Sequence, residues 1–131
     1  MGSTLTVEQK AHLGRIAAKQ FLKITDLWQI TDDERRVLAG VATRTSISTW
    51  RKRVQSLDVL QLGQDTYERF MCIADIERLL EQQHPNRQAL AGAIREAKND
   101  LGNKSLLENM LNGRVIDLYN TKNYMQRHQS S

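Results

Sequence analysis

Apolar residues return every three or four positions along most of the chain, the spacing of helices that each bury one face. Leu13, Ile16, Ala17, Phe21, Ile24 and Leu27 form the first such stripe, which runs on to Trp28. Thr6 and Gln9 stand three apart ahead of it, the spacing of a capping box, in which each side chain binds the other's backbone N–H. Thr31 and Glu34 repeat that signal and predict a short helix starting at Thr31 or Asp32, with Val37 and Leu38 inward and a turn at Gly40. Ile47, Trp50 and Val54 then share one face of a second short helix. Residues 55–64 mix polar residues with Leu57, Leu60 and Leu62 and end near Gly63, which reads as a packed connector. A long helix follows from near Asp65 to Gln83, carrying Phe70, Ile73, Leu79 and Leu80, and is broken at His84-Pro85-Asn86. Leu90, Ala93, Ile94 and Ala97 predict another, stopping between Asn99 and Gly102. Ser105 and Glu108 are a third capping-box pair, opening a helix with Leu106, Leu107, Met110 and Leu111 that ends at Asn112-Gly113. Val115, Leu118, Tyr119 and Met125 mark the last helix, ahead of a polar tail over 127–131 that reads as mobile. The Met1-Gly2-Ser3 start reads as weakly structured. With one proline and no alternating strand-like run, the fold class is all-α.

Two short helices around a glycine turn, the second ending in Trp50-Arg51-Lys52-Arg53, are the local pattern of a helix-turn-helix. Opposite its apolar face the second helix offers Arg44, Thr45, Ser48, Arg51 and Lys52, with Ser46, Thr49 and Arg53 alongside. Such residues donate to phosphates and to base edges in double-stranded DNA. The plain alternative is an amphipathic helix pair with a solvated basic face, and charge separates the two. Residues 1–57 hold ten Lys and Arg against five Asp and Glu, while residues 58–131 hold nine against ten, within a total of +4. The positive charge therefore lies in the segment with the helix-turn-helix, as a DNA-binding module requires. We divide the chain at 57/58 into an N-terminal helix-turn-helix module and a small C-terminal helical domain.

The remaining composition narrows the chemistry. No apolar stretch approaches twenty residues and no signal-peptide pattern is present, so the expected location is cytoplasmic, away from any membrane. The single cysteine, Cys72, lies in an apolar helical stretch and reads as a small buried hydrophobe. His12, His84 and His128 have no metal-ligand spacing, and there is no glycine-rich phosphate loop or nucleophile-elbow motif. Metal, cofactor and catalytic site are all expected to be absent, which makes this a non-enzyme.

The order of motifs carries a resemblance. A Trp-containing helix entry is followed by a helix-turn-helix ending in Trp50-Arg51 and by Ile73-Ala74-Asp75-Ile76. Then come Leu101-Gly102-Asn103-Lys104-Ser105-Leu106-Leu107 and Met110-Leu111-Asn112-Gly113. Over residues 27–125 this resembles the Xre/MbcA/ParS antitoxins, which join an Xre-like DNA-binding domain to a C-terminal toxin-binding domain. The family's second motif usually reads Gly-Gly-Arg-Ser-Pro-Leu; here Asn103-Lys104 replace Gly-Arg and Leu106 replaces proline. In the helix-turn-helix, the step from Gly40 to the inward Ile47 is one residue longer than usual, and Arg36 stands at an inward position usually held by alanine.

The resemblance implies an antitoxin of a type II toxin–antitoxin system. Such a protein neutralises a cognate toxin, often a RES-domain enzyme that consumes NAD, by covering its active-site entrance, and the complex represses its own operon. Lys104, Ser105, Arg114, Lys122, Tyr124 and Arg127 fall in the toxin-contacting region by this mapping, whereas Leu106, Leu107, Met110 and Leu111 read as core. A homodimer is expected, because one recognition helix reads too few base pairs for useful specificity. The alternative class is a helical interaction protein, or a prophage-type regulator with no toxin partner.

Overall fold

The structure is a computed structural model and describes residues 6–129, which contain seven α-helices and no named strand. The Met1-Gly2-Ser3 start and the last two tail residues lie outside the described residues. The helices are α1 (Val7–Leu27), α2 (Asp32–Ala39), α3 (Arg44–Gln55), α4 (Gln64–Gln83), α5 (Arg87–Ala93), α6 (Leu106–Met110) and α7 (Val115–Gln129). All three capping boxes form, at Thr6/Gln9, Thr31/Glu34 and Ser105/Glu108, and start α1, α2 and α6. Each satisfies two backbone donors that a helix N-terminus otherwise leaves open.

The ends of the first three helices share one device. At the end of α2, Gly40 takes φ +73°, its N–H donates to the Val37 carbonyl at 3.1 Å, and the Val41 N–H reaches back to Arg36 at 3.1 Å. This is a Schellman turn, which needs a left-handed residue just past the helix. Gln29 closes α1 in the same way at φ 58°, and Leu57 closes α3 at φ 56°. The connector therefore begins with a left-handed leucine, and Leu57 points into solvent at 72% exposure instead of packing. Only Leu60 of its three leucines is buried, with Leu62 packed against the core from the side.

The buried apolar residues form one cluster to which all seven helices contribute, with residues from both sides of 57/58. At its centre Phe21 of α1 stacks on Phe70 of α4 with ring centroids 4.4 Å apart, and Trp50 of α3 meets both edge-on at 6.2 and 5.6 Å. The α1 and α4 helices run parallel. The Tyr67 hydroxyl donates to the Lys10 carbonyl at one end (3.0 Å), and Trp28 Nε1 donates to Glu77 Oε1 at the other (2.9 Å).

The buried face of α1 differs from the expected stripe. Leu13 and Ile16 are exposed, while Ala11, Gly14, Ala18, Leu22 and Thr25 are buried alongside Phe21 and Ile24. The cause is the connector, which crosses α1 so closely that the Leu60 N–H donates to the Ala11 carbonyl at 3.0 Å and the Leu60 carbonyl faces Gly14. Only small residues fit beneath it, so the bulky pair is turned outward.

Two further expectations are corrected. The fifth helix ends at Ala93 and not near Asn99: Ala97 is exposed, and Lys98 to Lys104 form a tight hairpin around a 3₁₀ turn at Asn99–Leu101. Its return needs left-handed conformations at Gly102 (φ 68°) and Asn103 (φ 61°), and a Lys98–Lys104 bridge closes it. The polar tail is helical through Gln129 as the last turns of α7.

Candidate functional site

The helix pair α2–α3 is joined by residues 40–43 and backed by α1 and α4. Ile47 and Trp50 anchor α3 in the core, with Val54 packed from the side. Arg44, Thr45, Ser48, Thr49 and Lys52 are exposed, and at 100° per residue they cover an arc of about 140°. No acidic residue lies on α3. Its N-cap, Thr43, makes no side-chain capping bond, so the first-turn N–H groups stay open toward that end of the face, where an anion is electrostatically favoured.

Two of the predicted DNA-contacting residues, Arg51 and Arg53, have other employment. Arg51 makes a two-pronged pair with Asp32 of α2, at 2.8 and 2.7 Å, and is a brace between the two helices instead of a free donor. Asp32 also accepts from Arg35 at 2.8 Å. The Arg51 guanidinium, with Arg35 behind it, holds the Asp32 carboxyl far below the usual carboxylate range despite its partial burial. Arg53 donates to the Val59 carbonyl at 2.9 Å and ties the end of α3 to the connector. Ser46 is half-buried on the flank of the face. Arg44 sits 3.5 Å from Asp33 with both side chains about two-thirds exposed, a pairing that water and salt weaken. Arg44 and Lys52 are thus the cations of α3 most available to a polyanion.

The inward arginine is Arg35 and not Arg36. Arg35 is buried, donates from Nε to Thr25 Oγ1 at 2.7 Å, and forms ion pairs with Asp26 and Asp32. Thr25 in turn donates to the Phe21 carbonyl at 2.8 Å. Adjacent arginines on a helix point about 100° apart, and the partners on α1 select the first of them. Sequence reasoning missed this network, because its links join residues up to 19 positions apart.

The C-terminal predictions divide in the same way. Ser105 is buried as the cap of α6, accepting from Glu108 N–H at 3.0 Å, which removes it from any contact surface. Lys122 is taken up by Asp75 of α4 at 2.9 Å and holds that carboxyl below its ordinary range. Tyr124 is buried and donates to Asp100 at 2.7 Å; burial first, then this bond to a carboxylate, pushes its hydroxyl up to about 12. His128 Nε2 lies 3.1 Å from the other oxygen of Asp100, so that one aspartate joins the 98–104 hairpin to the last turns of α7. Arg114 is exposed and pairs with the buried Asp117, whose carboxylate also receives the Arg114 backbone N–H at 3.0 Å and caps α7. Lys104 and Arg127 are exposed. Leu106, Leu107 and Met110 are buried and Leu111 packs against them, as core residues should.

Among the described residues no group of His, Cys, Asp and Glu is arranged to hold a metal, and no helix is long and apolar enough to cross a membrane. Cys72 is buried and unpaired, and burial pushes its thiol above its ordinary value.

The chain matches no protein-family model. It is similar to a protein of Sinorhizobium fredii (strain NBRC 101917 / NGR234), described as uncharacterized protein y4oB, with 29% identity over 105 residues. That match covers 80% of this chain and 78% of the relative. At 105 residues it exceeds either segment flanking 57/58, so the likeness continues across that point.

Proposed function

We propose that this chain is a non-catalytic DNA-binding regulator of the antitoxin type. The exposed face of α3 holds operator DNA, and the surface formed by the 98–104 hairpin and α7 holds a protein toxin, with a RES-type NAD-consuming enzyme as the class suggested by the motif resemblance. The observation that carries the DNA part is the α3 face itself: Arg44, Thr45, Ser48, Thr49 and Lys52 exposed together on a core-anchored helix without a carboxylate. Hydroxyls and cations in that arrangement suit phosphate oxygens and base edges. The toxin part is supported by Lys104, Arg114 and Arg127, which remain at the surface of α7 and of a hairpin tied to it through Asp100.

Fluorescence anisotropy with the duplex upstream of the chain's own coding region, across a salt series, tests the DNA part. Arg44→Ala with Lys52→Ala is expected to weaken binding and flatten the log–log salt slope by about two, one unit per lost phosphate contact. An unchanged slope would remove α3 from the interface. Co-expression with the product of the adjacent gene tests the toxin part: two species that purify separately would remove it.

A second reading has an observation of its own. With Arg51 and Arg53 tied internally and the step from Gly40 to Ile47 lengthened, the chain is a helical protein-interaction module without duplex affinity. Anisotropy that never rises above the level of an unrelated duplex would select it.

A further inference from the structure

The end of α2 and the turn between α6 and α7 share a cavity of about 370 Å³, within the range of roughly 300–1,000 Å³ that small-ligand sites occupy. Arg36, Val37, Gly40 and Ala42 line it from the helix-turn-helix, Arg69 from α4 and Gly113 from the α6–α7 turn. No carboxylate is among its lining residues. Two glycines let the parts come this close. A Cβ on Gly40 would lie 2.5 Å from Arg69 Nε and 2.6 Å from its Cζ, so the guanidinium occupies the space that a side chain at 40 would take. A Cβ on Gly113 would stand 3.5 Å from Val37 Cγ1, which brings the α6–α7 turn against α2.

Both arginines of the cavity have donors to spare. Arg69 is only 8% exposed; its Nε donates to Asp65 Oδ2 at 2.8 Å and its Nη1 to the Val37 carbonyl at 3.3 Å, a long bond. A guanidinium carries five N–H donors in a rigid fork, so the rest of this fork has no partner among the described residues. No Arg69 nitrogen is both sealed from solvent and unbonded, so these donors open to the cavity that the residue lines. The half-buried Arg36 makes no side-chain hydrogen bond or ion pair among the described residues. The carboxylates nearest to it along α2 are taken, Asp32 by Arg35 and Arg51, and Asp33 by Arg44. The Ala42 N–H likewise has no partner among the described residues. Two cations lining one cavity with no acid to answer them are a local excess of positive charge, which an anion relieves.

We infer that this cavity is an oxyanion site that takes a phosphate group, held by the Arg36 and Arg69 guanidiniums with the Ala42 N–H beside them. A phosphate monoester carries a charge of about −1.5 to −2 at pH 7 and three acceptor oxygens, enough to answer two forks that arrive from different helices. A carboxylate brings one charge and suits a single fork. Arginine is the side chain fitted to this role, because its planar fork meets two oxygens at once and stays charged when buried. The Asp65 carboxylate competes for one edge of Arg69 and so tunes the affinity downward. A bound phosphate fastens the helix-turn-helix, through Arg36 and Ala42, to α4 on the other side of 57/58. The site stands on the cavity alone and holds whether or not α3 binds DNA.

Two-dimensional amide NMR of the full chain, titrated with inorganic phosphate against sodium chloride at equal ionic strength, tests it without DNA. The Gly40, Ala42 and Gly113 amides are expected to shift saturably with phosphate and not with chloride, with a dissociation constant on the order of 1 mM. Arg36→Gln, which breaks no internal bond, should weaken this by about tenfold or more. Asp65→Asn frees the Arg69 fork and should tighten it, while Arg69→Lys keeps a cation beside Asp65 and should weaken it, with circular dichroism showing each variant folded. Shifts that are absent or matched by chloride overturn the site. Shifts unchanged in Arg36→Gln mean an adventitious ion only and overturn it too, as do Asp65→Asn and Arg69→Lys variants that both bind phosphate like the wild type. Anisotropy with the upstream duplex then names the source of the phosphate. If it belongs to a DNA backbone, Arg36→Gln flattens the log–log salt slope by about one; if it belongs to a diffusible phosphorylated molecule, the slope stays and the phosphate shifts remain. A chain without duplex affinity overturns the α3 reading, and the phosphate titration still decides the site.

Discussion

Gly14 lies in the second turn of α1, where alanine would ordinarily favour the helix by about 1 kcal/mol. A Cβ there would stand 1.9 Å from the Leu60 carbonyl oxygen and 3.1 Å from the Tyr67 hydroxyl. The connector is held to that position by the hydrogen bond from Leu60 N–H to Ala11, so the backbone oxygen cannot withdraw without breaking it. Gly14→Ala is expected to destabilise the chain by about 2 kcal/mol or more, the overpacking cost exceeding the helical gain; urea denaturation measures it, and a stabilised variant would show that the connector yields. Glu77 poses the opposite case, a buried carboxylate that costs stability. Burial raises its carboxyl above the ordinary value, the bond from Trp28 lowers it, and Glu81 raises it again. Because the folded state holds this proton more tightly than the unfolded chain, stability falls as pH climbs from about 4.3, the unfolded value, through the raised folded value. Glu77→Gln keeps an acceptor for Trp28 Nε1 and removes the charge. Its melting temperature should exceed that of the wild type at pH 7, with the gain gone near pH 4. A gain independent of pH would mean that the charge is not its source.

At the scale of elements, what could be read from the sequence was what neighbours in sequence decide. Three capping boxes, the span of α4 and the left-handed Gly40 and Gly113 depend on residues within one or two turns, and all are found in the structure. The 98–104 hairpin escaped because a run of apolar positions at helical spacing continues to Ala97, while the bridge that turns the chain is made by backbone atoms that carry no sequence signal. The outward rotation of Leu13 and Ile16 escaped because the connector that displaces them arrives from about fifty residues away. The basic face of α3 was legible as a composition but not as a set of free side chains. Arg51 and Lys52 look alike in the sequence, yet Asp32 lies within reach of only the first. The same holds for Lys122 and Tyr124, whose partners Asp75 and Asp100 lie 47 and 24 positions away.

At the scale of the whole molecule, the continuous core sets an expectation for folding. Phe70 touches both Phe21 and Trp50, so its removal loosens α1, α3 and α4 together. Phe70→Ala should cost about 3–5 kcal/mol, and the wild-type chain should unfold in one transition with coincident circular dichroism and tryptophan fluorescence curves. Two separated transitions would show that the segments on either side of 57/58 fold independently.

The position of Trp50 has a further consequence. Its indole rests edge-on against Phe70 from the inner side of α3, and the helix bearing Phe70 is also the one to which α7 is fastened through Lys122–Asp75 and Tyr119–Glu68. One intervening helix therefore separates the C-terminal helix from the back of α3. A ligand that levers α7 away from α4 perturbs the packing around a native fluorophore, and in a Trp28→Phe background, which removes the other indole, Trp50 emission becomes a label-free gauge of how strongly the two ends of the molecule are mechanically linked.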